Sequence, residues 1–320
     1  MNNNNNTFIS RLLKIIVSVF LLILLISRVG GNELIREIYQ VRATTIAWTF
    51  LFWIWALVAG TLKWKLLLPE ERYIKLLITF VKSQFYSTVL PGQIFGELSK
   101  VAILHKGIEK DEKVVASVVS DKVIGLIAAV VLGAIGLSFS SCAEFVGYQI
   151  ICIAIVVVLV LLLYAPRIAK LDNMILVIIS KCKGKRIIGM IANLADGIYS
   201  AWRVFALNKG LLLKNLLLGV IVQFATIFQA YKIGIDVGIN VPLVEYLWIM
   251  TIVSFVILLP ISFAGVGVRD VSITGLLVMC GASESKAIVV PAIINVIQIL
   301  VALIGGIVVF IDGVCKQKEK

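Results

Sequence analysis

The sequence contains a series of apolar runs, each about as long as a lipid bilayer is thick. A helix needs roughly 20 apolar residues to cross a hydrocarbon core about 30 Å thick. Five runs of this length contain no Asp, Glu, Lys or Arg: Ala43–Leu62, Val123–Ala143, Phe145–Pro166, Tyr246–Val268 and Ala287–Ile311. We therefore predict an all-α integral membrane protein.

Two further runs carry one lysine near an end, where a long side chain can extend its ammonium group to the interface. They are Leu12–Ser27, with Lys14, and Leu211–Tyr231, with Lys214. No small-x-small cleavage site follows the first run. We expect that run to be an uncleaved anchor rather than a signal sequence.

The overall composition excludes several classes of protein. Of the 320 residues, 60% are hydrophobic and 15% charged, whereas soluble domains have about 45–50% and about 25%. The net charge of +12 would suit a nucleic-acid partner, but the basic residues lie between apolar runs, so we predict none. The five cysteines are scattered and His105 is the single histidine, so we predict no metal site and no cofactor.

The basic residues indicate the orientation, because cytoplasmic loops of membrane proteins are rich in Lys and Arg. The segment Arg167–Lys209 carries eight basic and two acidic residues, and both termini are also basic. The stretches Cys142–Gln149 and Ile233–Glu245 contain no Lys or Arg. We predict that the basic segment and both termini lie in the cytoplasm. The two stretches without Lys or Arg are predicted to lie outside. Within the basic segment, Ile187–Phe205 is amphipathic in spacing and is expected to lie along the membrane surface.

Two segments are interrupted by helix-breaking residues in the same order. Leu90-Pro91-Gly92 is followed by Gly96, Glu97 and Lys100, and Leu259-Pro260 by Gly265, Gly267, Arg269 and Asp270. Proline removes a helical hydrogen bond, and in lipid the freed backbone groups are tolerated only inside protein or at a water-filled cavity. We predict two helical hairpins that enter the membrane and return on the same side.

Counting crossings predicts a fold of two inverted repeats, each with one broken, re-entrant hairpin. The whole chain, residues 1–320, would be a single polytopic domain, with repeat 1 at about 8–143 and repeat 2 at about 144–312. Residues 167–209 form its cytoplasmic segment. Transporters often use inverted repeats whose broken helices meet near the midplane. The alternative is that Leu-Pro followed by glycines recurs by chance and both segments are kinked ordinary spans.

The sharpest candidate for a site is Arg269 with Asp270, which lies between two uncharged stretches. A charge near the bilayer centre costs about 2.5–3.5 kcal/mol on insertion scales, so it usually has a partner or a function. The planar guanidinium of Arg269 suits bidentate contact with a lipid phosphate. The structural alternative is an ion pair of Arg269 with Asp270, or with Glu97 of the other hairpin.

Further polar residues join the candidate headgroup site, each with a structural alternative. Glu97 and Lys100 follow the first break, but a solvated helix end next to a charged loop, His105–Lys113, explains them as well. Asp121 and Lys122 would complete a cytoplasmic entrance or form an interfacial pair that snorkels. The remaining members are Ser262 and the helix-break residues Pro91, Gly92, Gly96, Pro260, Gly265 and Gly267, where backbone N–H groups favour anions or close packing needs glycine.

Other polar residues in apolar segments are attributed to hydrogen bonds between helices: Lys82, Gln84, Gln223, Asn295 and Gln298. The sequence contains neither a Gly-x-Ser-x-Gly nucleophile motif nor a Walker phosphate loop, so we predict no catalytic residue. Transport by such a chain would be passive, coupled to an ion, or drawn by consumption of the product.

Three motifs together resemble the lysylphosphatidylglycerol synthase transmembrane (flippase-like) family. They are the first break as far as Lys100, the stretch Ala116-Ser117-Val118 to Gly125-Leu126, and the second break as far as Asp270. The resemblance runs from the first span to Ile311. The family usually has Arg where Lys100 and Lys122 stand and Glu where Asp270 stands. Since lysine cannot make the two-pronged contact of arginine, these departures affect the expected headgroup.

The resemblance implies a bacterial or archaeal cytoplasmic membrane and movement of lysylphosphatidylglycerol or a related phospholipid between leaflets. It also implies a contribution to resistance against cationic antimicrobial peptides. In the bifunctional family members, a soluble domain transfers lysine from lysyl-tRNA to phosphatidylglycerol. This chain ends nine residues after Ile311, so we expect that domain, if used, to be a separate synthase partner.

Two alternatives to lipid translocation stay open, together with the question of a homodimer. One is a phosphatidylglycerol lysyltransferase, or a membrane subunit of an aminoacyl-lipid or glycolipid synthase. The other is a scaffold that does not transport.

Overall fold

A computed structural model describes residues 41–89, 94–104, 108–141, 169–182, 207–257 and 267–318, together with Tyr39, Asp196, Tyr199 and Arg203. The predicted runs Leu12–Ser27 and Phe145–Pro166 lie outside the described residues, as does most of Ile187–Phe205.

Every regular element in these residues is a helix, as the apolar runs predict. In chain order the helices are α1 (Ala43–Leu67), α2 (Tyr73–Val89), α3 (Ile94–Leu104), α4 (Ile108–Ser138), α5 (Ala169–Cys182), α6 (Lys209–Asp236), α7 (Leu243–Val256), α8 (Val268–Met279), α9 (Glu284–Ala287) and α10 (Val289–Lys318).

Four helical stretches in the described residues are long and apolar enough to cross a membrane. They are Ala43–Leu67, Lys113–Ser138, Lys209–Asp236 and Glu284–Asp312, and they have 25 to 29 residues. At about 1.5 Å per residue, each exceeds the hydrocarbon thickness of about 30 Å. The long helices also expose large apolar side chains such as Leu303 and Phe310, a surface suited to lipid rather than water. The protein is therefore a multi-pass membrane protein.

The start of α4 differs from the sequence expectation. The charged stretch His105–Lys113 was expected to be a loop, but the helix already begins at Ile108. Charged residues are good helix formers when water surrounds them, so the helix extends beyond the apolar run that identifies it. At its other end α4 stops at Ser138, before the end of the run Val123–Ala143.

Two pairs of neighbouring helices are shorter than these four stretches. α2 and α3 have 17 and 11 residues, and α7 and α8 have 14 and 12. At about 1.5 Å per residue, α3 and α8 each span only roughly 17–18 Å. α2 packs against α3, and α7 against α8. The connecting residues 90–93 and 258–266 lie outside the described part of the chain.

α1 packs against α6, and two further long contacts cross between the N-terminal helices α1–α4 and the C-terminal helices α6–α10. In one, α4 packs on α7, where glycines allow close approach. A Cβ atom at Gly133 would lie 2.7 Å from Thr251 Oγ1, and one at Gly136 would lie 2.7 Å from Leu247 Cβ. Small residues of this kind are typical where membrane helices pack closely.

The second crossing contact, of α10 on α2, is built in the same way. A Cβ atom at Gly305 would lie 2.6 Å from the carbonyl oxygen of Val81, and one at Gly306 would lie 3.1 Å from the Phe85 ring. Exchanging α1, α2, α3 and α4 with α6, α7, α8 and α10 maps these helix contacts onto one another.

The described part of the basic segment is held together by Asp172 of α5. Its buried carboxylate accepts a 3.0 Å hydrogen bond from Tyr199 Oη and lies 2.6 Å from the Arg203 guanidinium. Burial, followed by the hydrogen bond to this carboxylate, raises the pKa of Tyr199 to about 12. These contacts connect α5 to residues that the sequence places in the amphipathic stretch.

Candidate functional site

A polar cavity of about 340 Å³ lies among the helices, and both halves of the chain contribute to its wall. Three charged residues line it: Glu97 of α3, Lys122 of α4 and Arg269 of α8. Neutral polar residues complete much of the wall, namely Ser83, Gln84, Ser87, Thr226, Gln229 and Gln298. At membrane depth, polar groups are tolerated where protein encloses them or water fills the space.

The close approach of α3 to α2 brings Glu97 to the wall. A Cβ atom at Gly96 would lie 2.5 Å from Ser87 Cβ and 3.2 Å from the carbonyl oxygen of Ser83. Only glycine fits there without displacement of α2. The hydroxyls of Ser83 and Ser87 donate to carbonyls of their own helix, at 2.7 and 2.8 Å, so both side chains stay compact.

Glu97 holds two lysines at once. Its Oε2 lies 2.8 Å from Lys100 Nζ, and its Oε1 lies 3.4 Å from Lys122 Nζ. Lys100 is 3% exposed, and its ammonium lies 4.1 Å from the centre of the Phe80 ring, a cation–π contact. Lys100 is therefore enclosed. The Lys122 side chain is 39% exposed, and the three charges sum to one net positive charge.

Asp121 does not line the cavity, although it neighbours Lys122. Its Oδ1 lies 3.1 Å from Nζ of Lys63, which also donates a 3.0 Å hydrogen bond to the Asp121 carbonyl. Lys63 is 5% exposed. From α6, the Asn215 side chain donates to the Lys63 carbonyl at 2.9 Å. This buried pair ties α1, α4 and α6 together.

Lys63 was not among the residues predicted from the sequence. It directly follows the apolar run Ala43–Leu62, a position where a lysine ordinarily marks the end of a span. The signal in the sequence was that large apolar residues, Trp64, Leu66 and Leu67, continue beyond it, which makes a lysine at that position a candidate for an ion pair.

Arg269 is 6% exposed and is held mainly by two amides of α10. It donates a 2.8 Å hydrogen bond to Gln298 Oε1 and another to Asn295 Oδ1. Its Nε lies 3.5 Å from Oδ1 of Asp270. Of the two ion pairs given as structural alternatives, the one with Asp270 is thus present, whereas the carboxylate of Glu97 faces Lys100 and Lys122.

Asp270 acts as a cap for α8 rather than as a wall residue. Its Oδ2 accepts a 2.9 Å hydrogen bond from the backbone N–H of Gly267 and a 3.1 Å hydrogen bond from Asn295 Nδ2. Gly267 has a φ of +89°, a conformation that residues with a side chain rarely adopt. The glycine therefore lets the chain turn into α8 while Asp270 satisfies its first N–H group.

The cavity thus brings together four residues of the sequence-predicted site. These are Gly96, Glu97, Lys122 and Arg269. Three other predicted residues do not line the cavity, and each contacts an oppositely charged side chain: Lys100, Asp121 and Asp270. Ser262, Pro91, Gly92, Pro260 and Gly265 lie outside the described residues.

The other polar residues of the apolar segments also have partners. Lys82 Nζ lies 2.7 Å from Asp312 of α10, and Gln223 donates a 3.2 Å hydrogen bond to Ser254 of α7. Together with Asn295 and Gln298, they make hydrogen bonds between helices, as the sequence predicted. Gln84 instead lines the cavity.

The cavity offers ionic contacts and hydrogen bonds to a guest. Its described lining includes no Cys or His, and no metal-binding group of His, Cys, Asp or Glu occurs among the residues that the structure describes. A wall with two cations, Lys122 and Arg269, and one carboxylate, Glu97, suits an anionic group or a group that carries both signs.

Comparisons with known proteins place the chain in a family. No curated protein sequence matches it. The family described as lysylphosphatidylglycerol synthase TM region matches residues 11–306, which is nearly the whole chain. The protein is therefore a multi-pass membrane protein that belongs to the lysylphosphatidylglycerol synthase transmembrane-region family.

Proposed function

We propose that the protein moves an anionic or aminoacylated phospholipid, similar to lysylphosphatidylglycerol, between the leaflets of a bacterial or archaeal cytoplasmic membrane. The observation that carries the proposal is the cavity lined by Glu97, Lys122 and Arg269. Charges are costly to keep within membrane-spanning protein. A chamber with three of them is best explained by a polar guest. Export of such a lipid would contribute to resistance against cationic peptides.

The size and charge of the cavity suit a lipid headgroup. A volume of about 340 Å³ is at the lower end of ligand pockets, which run from about 300 to 1,000 Å³, so the acyl chains would remain in the bilayer. The phosphate would contact Arg269 and Lys122. The carboxylate of Glu97 would receive an ammonium group where the headgroup has one.

The equivalence of helix contacts when α1–α4 are exchanged with α6, α7, α8 and α10 supports an inverted repeat. Such a repeat would provide the architecture for transport. α4 on α7 and α2 on α10 are equivalent contacts under the exchange, and each uses glycines. We propose that α2 with α3, and α7 with α8, are re-entrant hairpins from opposite faces, with both termini cytoplasmic. Rocking of one half against the other would open the cavity to each leaflet in turn.

A leaflet assay tests the proposal. Purified protein is reconstituted into phosphatidylethanolamine–phosphatidylglycerol vesicles that contain a fluorescent phosphatidylglycerol or lysylphosphatidylglycerol, and dithionite reports the dye in the outer leaflet. We expect the protein to make most of the inner-leaflet dye accessible. Arg269→Ala should slow this by at least about tenfold, the loss expected for one charge-assisted contact.

Arg203→Ala is the matched control, because it removes an arginine that pairs with an aspartate 2.6 Å away and does not line the cavity. It should leave the rate unchanged. If the wild-type protein leaves the inner-leaflet dye protected, the proposed transport is wrong. If Arg269→Ala matches wild type, the proposed role of Arg269 is wrong.

A further inference from the structure

Asn295 contacts a cation and an anion with the two ends of one amide. Its Oδ1 accepts a hydrogen bond from Arg269, and its Nδ2 donates to Asp270 Oδ2 at 3.1 Å. An amide can do this because it carries both an acceptor and a donor group. A carboxylate lacks the donor, and an apolar side chain of the same size lacks both.

The ion pair between the two charged neighbours is long although they are adjacent in the chain. Arg269 Nε and Asp270 Oδ1 are both buried and lie 3.5 Å apart, which is a long contact for an ion pair. In a medium of low dielectric, an arginine and a carboxylate gain most from a short, bidentate contact. Something must therefore hold the pair open.

The surrounding hydrogen bonds account for the open geometry. Asp270 Oδ2 is occupied by the Gly267 N–H and by Asn295, which fixes the carboxylate over the start of α8. The terminal nitrogens of Arg269 donate to Asn295 and Gln298 of α10. Asn295 is the residue common to both sets.

We propose that Asn295 is a positioning residue that keeps Arg269 from closing onto Asp270, so that the guanidinium stays directed into the cavity as an anion-binding group. Of the five guanidinium N–H groups, two are donated to the amides of Asn295 and Gln298. The Nε–H is buried against Asp270, so one N–H on each terminal nitrogen remains to receive a phosphate. That the anion is a lipid headgroup rests on the proposed function.

Binding of dihexanoyl phosphatidylglycerol to the detergent-purified full-length protein, followed by calorimetry, tests the inference. Asn295→Leu should weaken binding by at least about tenfold, since Arg269 then turns to Asp270. Asn295→Asp should also weaken it, because the new carboxylate faces Asp270. The double variant Asn295→Asp with Asp270→Asn should restore binding, since position 270 then supplies the donor and position 295 the acceptor.

Gln223→Leu is the control, because it removes another interhelical amide, one bonded to Ser254; its binding should equal that of wild type. The rescue by the double variant separates positioning from a loss of folding, which would not be repaired by exchanging the two groups.

Three results would overturn the inference: no binding by the wild type, wild-type binding by Asn295→Leu, or a double variant no better than Asn295→Asp. If the wild type binds, Asn295→Leu loses binding and the double variant regains it, the inference holds. A vesicle assay with no translocation would then refute transport alone.

Discussion

Removal of the Asp121 carboxylate should destabilise the protein strongly, because it leaves the ammonium group of Lys63 buried without its counter-charge. Lys63 is 5% exposed, and its Nζ lies 3.1 Å from Asp121 Oδ1. Removing one partner of a buried ion pair costs about 3–5 kcal/mol, because the other charge stays desolvated. Asp121→Ala should therefore lower the free energy of unfolding by about that amount. The remaining hydrogen bond, from Lys63 to the Asp121 carbonyl, does not supply a negative charge.

Replacement of both partners should recover most of the loss. A well-packed apolar pair of similar volume is often neutral relative to a buried ion pair, so Lys63→Met with Asp121→Leu is expected to be closer to wild type than Asp121→Ala. The exposed pair Lys113–Glu70, at 3.3 Å, is the control. Its lysine side chain is 66% exposed, and Lys113→Ala should cost less than about 1 kcal/mol.

The measurement is reversible unfolding of the detergent-purified protein in sodium dodecyl sulfate, followed by tryptophan fluorescence. The reasoning is refuted if Asp121→Ala unfolds at the same detergent fraction as wild type. It is also refuted if the double replacement is as unstable as the single one, since the loss would then come from packing rather than from an unpaired charge.

The remaining predictions concern the crossing contacts and the cavity wall. Gly133→Val and Gly305→Val should each cost about 1–3 kcal/mol of stability by overpacking, whereas Gly275→Ala should not, since a Cβ atom there has nothing within 4 Å; detergent unfolding compares the three. Lys122→Arg should keep or raise the translocation rate, because arginine adds a two-pronged phosphate contact, and Lys122→Glu should abolish it beside Glu97. Equal vesicle-assay rates for the two Lys122 variants would contradict a phosphate contact at this position.

The membrane spans could be predicted from local composition alone. A run such as Ala43–Leu62 has one stable environment, because about 20 uncharged apolar residues cannot remain in water. The helix ends could not be predicted as well. α4 begins at Ile108, inside a charged stretch. The helix continues past the end of the apolar run because charged residues such as Lys and Glu also favour helix.

Part of the candidate site was also visible in the sequence. Arg269 stands out because a charge between two apolar runs needs a reason to be there. Its partners could not be assigned, because Asn295 and Gln298 lie 26 and 29 residues further along the chain. Only the packing of α8 on α10 brings them within hydrogen-bond distance.

Asp121 and Lys122 show most clearly what the sequence determines and what the tertiary structure decides. The sequence alone determines that two opposite charges enter an apolar helix, and hence that both need partners. Consecutive residues of a helix point about 100° apart, since a turn takes about 3.6 residues. Asp121 therefore meets Lys63 of α1, and Lys122 meets Glu97 at the cavity. The tertiary structure decided which charged partner each residue contacts, because the partners come from the helices that pack on either side of α4.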